Sequence, residues 1–263
     1  MGDETLLRSE MSEENNEESP RNVALGVEAI LELLRRGTLE LQQELPWSSN
    51  YTFMGTVRRD EVTTKVVYKP KQGESPLWDF PTGTLYKREE AAFLVSDALG
   101  WNLVPPTVSR KGDFGIGMVQ FFIEHDPEEH FFTFREPWDE QLTRLALFDV
   151  VINNADRKGG HVLREKGGAK LWAIDHGVTF HEEYKLRTVI WELAGDAIPQ
   201  LYLDALAGFQ GCLVKGAPLT ERLARLLGAR ELGMLRHRIS LLLESGTFPL
   251  PRPGRPHVPW PLV

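Results

Sequence analysis

The sequence predicts an α+β fold in two lobes, an antiparallel sheet in the first and mostly helix in the second. Three observations lead there. Between residues 38 and 69, apolar and β-branched residues alternate with polar ones and are broken by turn-forming clusters, the pattern of half-buried strands. From Glu140 to Ile152 the chain is apolar nearly all round, which marks a buried helix. Beyond Arg187 helical spacing dominates until prolines take over at 249–261.

The elements follow in order. Val23, Val27, Ile30, Leu31 and Leu34 share one helical face, and Gly37 stops that helix. Leu39 and Leu41 then alternate with polar residues. Pro46-Trp47-Ser48-Ser49-Asn50 makes a turn, Tyr51 to Val57 a second strand, Arg58 to Glu61 another turn, and Thr63 to Lys69 a third strand that ends at Pro70. Residues 72–84, with Gly73, Pro76, Pro81 and Gly83, read as a loop. A helix runs from Leu85 to Leu99 and is capped by Gly100, and Phe114 to Ile123 returns to strand. His125 to Trp138 is a connector, with Asp139 capping the helix from Glu140. Further helices are expected at Arg187–Ala194, Pro199–Phe209, Leu219–Leu227 and Glu231–Leu243. The Pro-rich end is an extended tail that packs through Trp260 or stays loose.

The chain is organised around Asn153-Asn154-Ala155-Asp156-Arg157-Lys158-Gly159-Gly160-His161 and, a short hairpin later, Ala173-Ile174-Asp175-His176-Gly177. The buried helix feeds the first motif, and the strand Leu171–Ile174 delivers Asp175. Two carboxylates therefore flank one hairpin, beside a Gly-Gly turn that admits a close backbone approach. Such a pair suits phosphoryl transfer, one acid orienting an acceptor hydroxyl and the other holding a divalent ion.

These motifs resemble the catalytic loop and the metal-binding Asp-x-Gly of phosphatidylinositol 3-/4-kinase-like proteins, especially the type II 4-kinases and a bacterial branch of that superfamily. The resemblance covers residues 38–200 and implies a two-lobed protein-kinase-like fold. It implies ATP as phosphoryl donor with Mg²⁺ or Mn²⁺. Val66-Val67-Tyr68-Lys69-Pro70-Lys71 matches the strand whose first lysine meets the α- and β-phosphates, so Lys69 takes that role by resemblance; a solvated edge lysine is the plain alternative. Lys87-Arg88-Glu89-x-Ala91 is similar to the family's Arg-Glu-x-Ala, which makes Glu89 the acid that pairs with Lys69, or else an exposed helical glutamate. Val104-Pro105-Pro106-Thr107 resembles the link to the next strand. Met118-Val119-Gln120-Phe121 is then the hinge against an adenine ring, with Met118 and Phe121 lining it, unless these are core strand residues. Ser48, Ser49 and Asn50 occupy the place of the nucleotide-covering loop without its glycines, and an ordinary hairpin turn accounts for them almost as well. Asp156 orients and deprotonates the acceptor, Arg157 steadies charge on the transferred group, and Asp175 holds the metal. His161 stands where the family usually places asparagine, and either ligates the metal or orients Asp175.

Composition bounds the rest. The 263 residues carry a net charge of −8, and residues 1–20 hold seven acids against one base, a balance of −6 that leaves about −2 on the remainder. That rules against a nucleic-acid or anionic-lipid surface and reads as a disordered acidic tail over 1–21. A first lobe at 22–124, a second at 125–247 and a Pro-rich tail at 248–263 complete the expected organisation. The single cysteine, Cys212, suits a reducing cytoplasm; no apolar run spans a membrane, and the acidic start is not a secretory signal. The segment after Asp175 has few bases and two acids, Glu182 and Glu183, so the expected acceptor is a soluble protein or small molecule rather than an inositol lipid. A pseudokinase that binds nucleotide without transfer, an inositol-lipid kinase, and a metal hydrolase built on His161, His176 and His181 are the other readings.

Overall fold

A computed structural model describes residues 26–45, 50–134 and 140–263. The acidic tail, Ser48, Ser49 and Asp139 lie outside the described residues. The chain runs α1 (Val27–Arg36), β1 (Thr38–Glu44), β2 (Phe53–Arg59), β3 (Val62–Pro70), α2 (Leu85–Ala98), β4 (Thr107–Gly112) and β5 (Gly115–Phe121). It continues with α3 (Glu140–Ile152), β6 (Val162–Arg164), β7 (Leu171–Ala173), α4 (Gln200–Cys212), α5 (Pro218–Leu226) and α6 (Ala229–Ser245).

The first five strands form one antiparallel sheet in the order β1-β2-β3-β5-β4. Strand alternation gives it two unlike faces. Val57, Val66, Tyr68, Val108 and Val119 are buried on the face that meets α1, where Leu31, Leu33 and Leu34 cover them. Lys69 and its register partner Met118 lie on the other face, with α2. β3 is therefore a central strand and Lys69 is no edge lysine. Pro70 is tolerated because it is the strand's last residue, opposite Gly117, where a Cβ would come within 2.3 Å of the Lys69 carbonyl.

The second lobe packs α3 as its buried axis against α6, and α4 also lies on α6. β6 and β7 pair as a small separate ribbon. Two consecutive residues of α2 bind it to this lobe: Arg88 donates to the Thr179 carbonyl and pairs with Glu231 of α6, and Glu89 accepts from the His176 N–H.

Two expectations fail. Residues 187–194 are not helical: Arg187 N–H donates to the Asn154 carbonyl and Val189 N–H to the Arg157 carbonyl, so their backbone is engaged with the loop before them. Trp260 anchors nothing, being 88% exposed; the tail packs instead through buried Pro259 and through the His257 carbonyl, which accepts from the Trp191 indole. No helix among the described residues is long and apolar enough to cross a membrane.

Candidate active site

Lys69 bridges the lobes. Its Nζ is 2.8 Å from Glu89 Oε1 on α2 and 3.1 Å from Asp175 Oδ1 beyond β7. The Glu89 side chain is 2% exposed and that of Asp175 40%, so one carboxylate fixes the ammonium while the other remains open to the cleft. Burial works against the charge on Lys69, but the two carboxylates outweigh it and hold its pKa above the ordinary lysine value. Burial likewise works to raise Asp175, and the Lys69 ammonium reverses this, leaving it well below the usual carboxylate range. Glu89, deeper, is pushed upward by burial despite Lys69. Asp175 sits at φ 59°, a left-handed backbone unusual for a non-glycine residue and frequent at functional sites.

The loop before the ribbon is built on Asp149, a carboxylate inside the apolar second half of α3. Asp149 accepts from Arg157 Nε and Nη2, from the Asn154 amide and from the Thr188 hydroxyl. Asn154 Oδ1 in turn accepts the Asp156 N–H, fixing that residue's direction. Arg157 is wholly enclosed. Besides Asp149, it donates to the carbonyls of His161 and Ile174 and to His176 Nε2. All five guanidinium N–H groups are thereby engaged. The expectation that Arg157 steadies a transferred phosphoryl group is thus corrected: with no donor left over, it is the tie that joins α3, the loop and the ribbon.

Asp156 is half-buried, with Lys158 Nζ at 3.4 Å. Burial raises its pKa against the pull of Lys158, which makes it a stronger base than an exposed aspartate. Across the ribbon, His161 Nδ1 is 3.0 Å from the Asp156 carbonyl, an acceptor, so Nδ1 carries the proton. Its Nε2 lies 3.5 Å from Asp175 Oδ2. Burial holds this imidazole at about 4, so near neutrality an unprotonated nitrogen faces a carboxylate oxygen. Two lone pairs in that relation fit a shared cation. No cluster of three or more His, Cys, Asp or Glu suited to a metal occurs among the described residues, so His161 and Asp175 would leave most positions to water and phosphate, as Mg²⁺ or Mn²⁺ accepts.

His176 is neutral and buried, T-stacked on Phe148, and its Nδ1 stands 3.9 Å from Glu89 Oε2. Asp149 is the part of the site that the sequence reading passed over, while His176 entered it only as a ligand of the alternative metal hydrolase. An acid set among the apolar residues from Leu145 to Ile152 was the available signal, because a buried carboxylate demands partners. His181 is apart from this group: its Nε2 reaches the Asp79 carbonyl and its ring packs on Phe80, so a three-histidine centre does not form.

The register separates the two hinge candidates. Met118 shares a face with Lys69, whereas Phe121 pairs with Val66 and turns to the α1 side, and its N–H is taken by the Pro106 carbonyl. Phe121 therefore does not face the cleft; Val67, Met54 and Gln120 share the Lys69 face instead. Asn50 Oδ1 accepts from Ser75 N–H, which ties the turn at 50 to the loop after β3. A cavity of about 700 Å³ lined by Val150, Tyr184, Arg238, Leu242 and Phe248 contains none of these residues.

Comparison with known proteins gives the family and the fold. The profile of the family described as phosphatidylinositol 3- and 4-kinase matches residues 54–199, from β2 to the start of α4. Protein Rv2133c of Mycobacterium tuberculosis (strain ATCC 25618 / H37Rv) is 39% identical over 264 residues, covering 87% of this chain and 94% of that one. Phosphatidylinositol 4-kinase gamma 4 of Oryza sativa subsp. japonica is 28% identical over 122 residues, 40% of this chain and 22% of that protein. The crystal structure of the Golgi casein kinase with Mn/ADP bound superposes with a TM-score of 0.54 at 14% identity, over 87% of this chain and 80% of that one. The fold is the two-lobed kinase-like fold.

Proposed function

This chain belongs to the phosphatidylinositol 3- and 4-kinase family, and on that premise we propose that it transfers the γ-phosphoryl group of ATP to a hydroxyl of a soluble protein or small molecule. The observation that carries the reading is Lys69 held between Glu89 and Asp175, with Asp156 across the ribbon. Lys69 meets the α- and β-phosphates, and Met54 and Val67 cover the base from the sheet. Asp156 accepts the acceptor's proton as its oxygen bonds to the γ-phosphorus; the bond to the β-phosphate oxygen breaks and ADP leaves. Asp175 and His161 would hold Mg²⁺ or Mn²⁺, which neutralises phosphate charge when bound.

A soluble acceptor is favoured by the segment after Asp175. Its Lys185 is already paired with Asp79 at 2.9 Å, leaving Arg187 as the one base there without an acidic partner within 4 Å among the described residues. An inositol polyphosphate head group would meet little free positive charge. A second reading, a nucleotide-binding pseudokinase, draws on the fully engaged Arg157 and on His161. An assay with γ-labelled ATP separates them, run on wild type, Asp156→Ala and Asp175→Ala with no acceptor, with cell extract and with inositol lipids. Label transferred by wild type alone supports the kinase reading. ATP binding without ADP formation supports the pseudokinase, and label on lipid alone overturns the acceptor class.

A further inference from the structure

We propose that residues 257–262 lie in a groove built for a polypeptide main chain, and that the acceptor, on the kinase reading above, is a polypeptide that displaces this strap. The groove is made by the two segments that frame Asp156. Arg157 pairs in parallel with Thr188, and Thr188 N–H, on the other side, donates to the His257 carbonyl at 3.1 Å. The Trp191 indole N–H donates to the same carbonyl at 2.8 Å. Five residues on, the Leu262 carbonyl accepts from Gly159 N–H at 2.7 Å, inside the loop between Asp156 and His161. Gly159 is closely hemmed: a Cβ there would come within 2.9 Å of the Phe132 ring and 3.4 Å of that carbonyl. The Gly-Gly turn thus admits a main chain, and the one now present is the protein's own.

Donor and acceptor types identify the partner. The groove offers N–H groups and the strap supplies carbonyls, as an added strand does at a sheet edge. Pro256, Pro259 and Pro261 have no N–H to offer, so the strap meets the groove through its carbonyls. The two carbonyls lie five residues apart in the strap, so one main chain engages both groove donors, the Thr188 and Gly159 N–H groups. The strap is also lightly held. Val258, Trp260 and Leu262 are exposed and Pro259 alone is buried among residues 256–262, so local opening disturbs little of the core.

The test uses the full chain carrying Pro259→Asp, which removes the buried anchor, and Trp191→Phe, which keeps the ring but loses the indole donor. The probe is a fluorescent peptide with the sequence of residues 255–263. It should bind Pro259→Asp at least tenfold more tightly than wild type, whereas Trp191→Phe, which loses the same contact for strap and peptide alike, should stay near wild type. The Gly159 amide should exchange at least tenfold faster in Pro259→Asp and slow again when peptide is added. Equal peptide affinity for all three proteins, or a Gly159 amide that exchanges alike in wild type and Pro259→Asp, overturns the proposal. So does protection of that amide by phosphatidylinositol vesicles in place of the peptide. Repeating the binding in an Asp156→Asn background separates the two readings: peptide binding should persist where chemistry is lost, and a groove without phosphoryl transfer would sink only the kinase reading.

Discussion

Glu89 Oε1 and Lys69 Nζ lie 2.8 Å apart, one carried by a helix and the other by the central strand of the sheet. Neither side chain is much exposed, so removing one partner leaves the other charged and enclosed.

Lys69→Met should therefore cost about 3–5 kcal/mol of stability, the range for breaking a buried pair. Lys69→Met combined with Glu89→Leu should recover most of that loss, as read from urea denaturation midpoints. Both variants should lose ATP binding. Retained nucleotide affinity in Lys69→Met would remove Lys69 from the phosphate site.

Arg157→Ala leaves Asp149 buried with its main cation gone, since the carboxylate is wholly enclosed. Unfolding free energy should drop by about 3–5 kcal/mol, and Arg157→Lys should rescue little because a single ammonium cannot reproduce five directed bonds. If Arg157→Ala kept its melting temperature and lost activity alone, a direct role on the phosphoryl group would be restored.

The rate should depend on Asp156 as a carboxylate. Because burial places its pKa above the ordinary 3.8, activity should be full on the alkaline side and fall as pH drops through that raised value. Asp156→Asn should bind ATP normally and transfer phosphoryl at least about 10²-fold more slowly, without this acid limb. A pH–rate profile unchanged by the substitution would assign the limb elsewhere.

His161 predicts a metal preference. Nitrogen from a neutral imidazole suits Mn²⁺ better than Mg²⁺, so Mn²⁺ should support greater turnover, and His161→Asn should shift the preference toward Mg²⁺. The same residue should leave a mark on stability. Its folded pKa of about 4 lies below the unfolded 6.5, so the unfolded chain binds the proton first. Its contribution, at most about 3 kcal/mol, should be complete above pH 6.5 and lost as pH falls toward 4. Denaturation of the metal-free protein across that window, with His161→Asn beside it, reads the slope directly.

Much of the fold was legible because period and punctuation are local. The meander, α2 and the bounds of α3 follow from alternation, a wide apolar face and a nearly all-apolar run. What was not legible depends on partners far along the chain. Phe121 and Met118 differ by three positions in one strand, and only pairing with β3 shows that they face opposite ways. Arg157 beside Asp156 looks free to act until Asp149, eight residues earlier, is seen to hold it. Residues 187–194 read locally as a helix, yet the Arg187 and Val189 N–H groups answer carbonyls of the loop and that of Thr188 answers the tail. Trp260 is large and apolar, and a neighbouring proline takes the buried position instead.

The grip of Arg88 and Glu89 on the second lobe gives α2 an allegiance that its place in the chain conceals. α2 also lies against β4 and β5, and its Glu90 accepts from the Ser109 N–H, so the helix is bound to both lobes at once. A molecule that parted β3 from α2 would separate Lys69 from Glu89 and so strike the candidate site itself.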